Sequence, residues 1–125
     1  MKIKTSELTG ITLDWAVAKC EGKVAQGVYG EPELTESGLH LHYCDVLLSH
    51  PYSPSTDWAE GGTLIQRERM EVIPCMDDIT WEAHRFISEY ELFTAYGSTP
   101  LIAAMRCFCC IKLGDEVEIP EDLLP

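Results

Sequence analysis

Positive charge is scarce in this sequence. Nine lysines and arginines stand against 21 aspartates and glutamates in 125 residues, a formal net charge of −12. A protein that grips a phosphate backbone needs clustered cations to displace its counterions, so no direct nucleic-acid binding is expected. Long apolar runs are missing too. No stretch approaches the ~18 residues of a membrane span, and no apolar segment follows the two lysines of Met1-Lys2-Ile3-Lys4 as a signal peptide requires. The expected setting is therefore cytoplasmic, with no membrane partner. In such a reducing compartment the six cysteines (Cys20, Cys44, Cys75, Cys107, Cys109 and Cys110) are expected to be free thiols. Catalytic signatures are equally absent: no Gly-x-Ser-x-Gly elbow, no phosphate-binding glycine loop, no His-Glu-x-x-His. The chain reads as a binding protein rather than an enzyme, and it implies no cofactor and no metal.

Enough apolar sequence is present, 46%, to bury the core of one domain spanning residues 1–125. The pattern predicts an α+β fold, with a small antiparallel or mixed sheet packed against two main helices at about 6–21 and 100–113. In the first, Leu13, Ala16, Val17 and Cys20 form one apolar stripe and Leu8, Ile11, Trp15 and Ala18 a second. A face that wide is buried, which makes Trp15 core, and Gly22 is the expected stop. The last helix carries the clearest signals. Thr99 is a good N-cap, Pro100 suits the first helical position, and Gly114 closes the far end. Extended segments are expected at Lys2–Lys4, Val24–Tyr29, Leu39–Cys44, Met70–Ile73, Thr80–Ile87 and Val117–Ile119. A short helix over Thr63–Arg69 is expected to open after Gly61-Gly62.

Several residue groups invite a chemical reading. His40, His42 and Cys44 share one face of an ideal strand, but no fourth metal ligand lies at a recognised spacing, and a plain polar face explains them as well. Cys107, Cys109 and Cys110 sit in a helix that is apolar nearly all round, where a thiol is inert filler. The best candidate is the loop from His50 to Gly62. Tyr52 and Trp58, joined by Trp81 and Tyr96, offer flat faces for a ring. Ser55, Thr56 and Asp57 offer hydrogen bonds, and Gly61 and Gly62 let backbone approach a ligand. Helix starts after Gly62 and at Thr99, with Arg67 adding charge, would suit a phosphate. The competing reading is a surface loop packed by its own aromatics, with Asp57 a turn or capping residue. The partner this implies is a small nucleotide-like or phosphorylated molecule, its site completed by a homodimer or higher homo-oligomer. Two other readings stand beside it. The acids Asp115, Glu116, Glu118, Glu121 and Asp122 could dock a basic protein or imitate nucleic acid, and Asp57 or His84 could act as an acid or base.

Three blocks resemble the NinX family of small proteins from lambdoid phages and prophages: Met1–Gly10 continuing through Leu13–Lys19, Tyr52–Ala59 with Gly61-Gly62, and Gly97 with Thr99–Arg106 and Gly114–Pro120. Thr63 and Ser98 stand where such proteins often have proline. The resemblance implies a phage accessory protein working in the host cytoplasm, encoded near recombination and regulatory factors. It implies no catalytic residues. A binding module that sequesters a host-defence signal fits that setting.

Overall fold

The computed structural model describes residues 1–24 and 30–124. Helix α3 (Pro100–Leu113) is the element around which the rest is arranged. Its first turn forms as its residues dictate: the Thr99 hydroxyl accepts from the Ile102 amide at 3.1 Å, and Pro100 occupies N1. Leu101, Ala103, Ala104, Met105, Cys107, Phe108 and Cys109 are buried. Each large side chain among them contributes roughly 1.5–3 kcal/mol by leaving water. Gly114 ends the helix, donating to the Cys110 carbonyl.

An antiparallel sheet, ordered β6-β7-β8, lies on one side of α3: β6 is Glu71–Pro74, β7 Trp81–Ser88 and β8 Glu91–Gly97. Ala83 pairs with Ala95 where β7 meets β8, and both are buried, so α3 can come down close on small side chains. Gly97 takes this further, since a Cβ there would stand 2.7 Å from the Ala103 nitrogen. Two other helices pack on α3: α1 (Gly10–Val24), and α2 (Trp58–Glu68). Strand β1 (Lys2–Lys4) pairs with a C-terminal strand at Glu116–Glu118, setting Lys2 opposite Glu118 and Lys4 opposite Glu116. Two short hairpins join β2 (Glu33–Thr35) to β3 (Gly38–His40) and β4 (His42–Tyr43) to β5 (Val46–Leu47).

The α+β class and antiparallel sheet agree with the sequence reading, and α3 has the expected bounds. Other expectations need correction. The first helix begins at Gly10, after a single 3-10 turn at Thr5–Glu7, and runs through Gly22 instead of stopping there. The strand expected over residues 39–44 breaks at Leu41, which is buried between two hairpins. The strand expected at Val24–Tyr29 falls on residues outside the described ones, apart from Val24, which ends α1. Helix α2 starts at Trp58, not after the glycine pair, because packing overrides the poor helix propensity of glycine. Strand β8 has no counterpart in the sequence reading.

One ionic network ties these layers together. Glu68, only 8% exposed, accepts from Arg67 Nε at 3.0 Å and from Arg85 Nη1 at 3.3 Å. The Arg67 fork also holds both oxygens of Glu21 on α1, and its guanidinium lies 5.7 Å over the Phe108 ring. Arg67→Met removes charged hydrogen bonds from a buried carboxylate, and is expected to lower unfolding free energy by about 2 kcal/mol in urea melts.

Candidate functional site

The loop before α2 is held by carboxylates from both sides. Asp14 of α1 accepts the Ser55 amide at 2.9 Å, and Glu60 of α2 accepts the Ser53 amide at 2.8 Å. Within the loop the Ser53 carbonyl accepts from the Thr56 and Asp57 amides, and the Tyr52 amide donates to Leu39. Asp57 then caps α2 by accepting from the Ala59 amide at 2.9 Å. Every one of these bonds fixes backbone, so the corner is a rigid platform.

On that platform Trp58 stands 59% exposed at the first residue of α2. Leaving so large a ring in water forgoes the free energy that burying it would bring. The site of Gly62 lies under this ring, 3.5 Å from Cε3 when a Cβ is built. Gly61 faces inward, where a Cβ would meet the Pro54 carbonyl oxygen at 2.3 Å and Leu101 at 2.6 Å. The glycines thus serve close helix–loop packing. Gly61 N–H donates to the Asp57 carbonyl within the helix, so it does not face a ligand as the sequence reading expected.

The structure brings Tyr52, Ser55, Thr56, Asp57, Trp58, Gly61 and Gly62 into one corner against the first turn of α3. Tyr52 is half-buried against the core, Ser55 is 2% exposed, and Thr56 is open to solvent. Three expected members are placed otherwise. Arg67 points to Glu21 and Glu68, which hold its pKa above the usual arginine value despite burial. Trp81 is half-buried at the start of β7, opposite Gly97, on the other flank of the α3 start. Thr99 lies at that start with its hydroxyl engaged as the cap. No helix opens after Gly62, so the anion site placed there does not exist; the amides of the first turn of α2 serve Asp57 instead.

Asp14 escapes the sequence reading. It is 7% exposed, and burial raises its pKa to about 6, with the Ser55 bonds pulling down and Glu60 pushing up. Beside it the Ser55 hydroxyl is buried with no well-formed hydrogen bond among the described residues. The signal was present: one acid flanked by Leu13, Trp15, Ala16 and Val17, all buried.

The other clusters do not converge. His40 donates from Nδ1 to the Leu48 carbonyl and meets the Ser37 hydroxyl through Nε2, while His42 on the next hairpin meets Glu33. Cys44 is exposed at a turn with φ +48°. Among the described residues no group of three or more such side chains is arranged to hold a metal ion. Cys107 and Cys109 are buried, and burial pushes the Cys107 thiol up to about 12, as core filler would be. His84 pairs with Glu71 at 2.9 Å. Among the described residues no helix is long and apolar enough to cross a membrane.

Among known families, the model described as Bacteriophage P22, NinX matches the chain over residues 4–112. No curated protein matches the chain.

Proposed function

The chain belongs to the phage P22 NinX family and is a phage accessory protein, and on that premise we propose that it captures a small ring-bearing, nucleotide-like molecule at the Tyr52–Gly62 corner. In a host cell such capture would sequester a defence signal without turning it over. The observation that carries the reading is Trp58, a largely exposed indole on a segment whose backbone is pinned by Asp14, Asp57 and Glu60. A backbone already fixed adds no loop-ordering cost when the indole stacks on a planar ring. Thr56, two residues earlier, adds an exposed hydroxyl that donates to the Ser53 carbonyl and keeps its oxygen free to accept. Arg67 and Thr99 are committed elsewhere, so the ring is the recognised part and charge recognition is secondary.

Calorimetry against a panel of mononucleotides, cyclic nucleotides and dinucleotides tests this. We expect saturable binding to one of them, weakened at least about tenfold in Trp58→Ala, the loss of one stacking face. The Tm of that variant should hardly move, since the ring is exposed. No binding across the panel, or unchanged binding in Trp58→Ala, would sink the proposal. The acidic-surface alternative has less behind it, because Glu116 and Glu118 already face Lys4 and Lys2 across the terminal strand pair.

A further inference from the structure

A guanidinium with no carboxylate partner is unexpected in a chain of 21 acids and nine bases. Arg106 is one. Its Nε donates to the Leu8 carbonyl at 2.7 Å and its Nη1 to the Tyr96 carbonyl at 2.8 Å. Among the described residues no carboxylate lies within 4.0 Å of it, and Glu7 acts on it only from farther away. Burial lowers its pKa from the usual arginine value, the mark of a cation whose hydration has been partly removed without an anion in exchange.

Arg106 lines a surface groove of about 510 Å³ where the end of β8 meets the start of α3. Ile79 and Tyr96 give the groove apolar faces, the latter 52% exposed with its hydroxyl donating to Glu82, while Ser6 and Ser98 contribute hydroxyls and that of Thr80 is spent on Asp77. The first turn of α3 separates this groove from the Trp58 corner, since Leu101 meets Gly61 on one flank and Ile102 meets Gly97 on the other. We propose that the groove is a second binding site, which seats a phosphate monoester carried on a flat ring. The two backbone carbonyls hold the guanidinium in place and leave its Nη2 donors for oxyanion oxygens, the arrangement in which an arginine binds phosphate most strongly. Tyr96 and Ile79 would cover the ring, and the Ser98 hydroxyl would complete the anion's hydrogen bonds.

The test is a 1H–15N NMR titration of the whole chain with inorganic phosphate and with phenyl phosphate, at constant ionic strength set by chloride. Saturable shifts are expected at the amides of Tyr96, Gly97 and Ser98 and at Arg106 Nε. Phenyl phosphate should bind about tenfold tighter than phosphate through the added ring contacts. Arg106→Gln should weaken binding at least about tenfold. Ser98→Glu, an exposed substitution that leaves the Arg106 bonds in place, should weaken it comparably by repulsion, and it decides the matter if the glutamine variant fails to fold. Shifts that do not saturate, that scatter over the surface, or that persist in Ser98→Glu would overturn the proposal. These probes read a surface that the Trp58 experiment does not touch, so either proposal can fail alone.

Discussion

Gly61→Ala is expected to lower unfolding free energy by about 2–4 kcal/mol, whereas Gly62→Ala, one residue on, should raise it by up to about 1 kcal/mol. Both glycines lie inside α2, where alanine is ordinarily the better residue because it loses less backbone freedom on folding. Surroundings reverse the sign at Gly61. An added methyl would sit 2.3 Å from the Pro54 carbonyl oxygen, a backbone atom that cannot swing aside, and 2.6 Å from Leu101. Either the loop lifts from α2 or α2 lifts from α3, and both movements open the core. At Gly62 the nearest atom is Trp58 Cε3 at 3.5 Å, an ordinary contact with an exposed ring. Paired urea melts of the two variants check this directly. Equal effects, or a stabilised Gly61→Ala, would show that the loop does not rest on the helix as described.

The same pair of glycines explains what the sequence concealed. Read locally, Gly61-Gly62 marks a break, and the helix is expected to open after it. The fold instead uses Gly61 as the point of closest approach between helix, loop and α3, a tertiary reason invisible in a local pattern. Helix α3 was legible because its signals are local: a cap whose hydroxyl reaches Ile102, a proline at N1, and a glycine after Leu113. Strand β7 was legible through alternation. Strand β8 was not, because its outward face carries Leu92 and Tyr96 while Phe93 and Ala95 face the core, which blurs the period of two. At the candidate site the loop corner could be found from its aromatics and turn residues. The commitment of Arg67 to Glu21 and Glu68 could not, since those partners lie on α1 and on its own neighbour, and neither spacing signals a pair. Asp14 and Arg106 could have been flagged by one rule, a charge set inside an apolar run of a helix: Leu13 and Trp15 flank the first, Met105 and Cys107 the second.

Asp14→Asn should leave stability near that of the natural chain at pH 4 and raise it by about 2–3 kcal/mol at pH 7.5. The folded chain holds the Asp14 proton up to about pH 6, against an ordinary value of 3.8. Between those two values the folded state binds more protons than the unfolded one, so this group's contribution to stability falls as pH rises. Above pH 6 the whole penalty stands, about two pKa units or ~3 kcal/mol. Asparagine removes the charge and keeps an oxygen for the Ser55 amide. Its NH2 group can also donate to the Ser55 hydroxyl, which is buried with no well-formed bond of its own. Urea melts of both chains from pH 4 to 8 should therefore give a difference that is near zero at the acid end, climbs through pH 4–6 and levels off. A difference that is flat with pH, or a less stable asparagine variant at pH 7.5, would contradict this account of the carboxylate. The outcome bears on function because Asp14 fastens the loop whose next turn presents Trp58. A chain that grows more stable on losing this charge, yet binds its ring ligand more weakly, would show the carboxylate to be kept for the site at the expense of the fold.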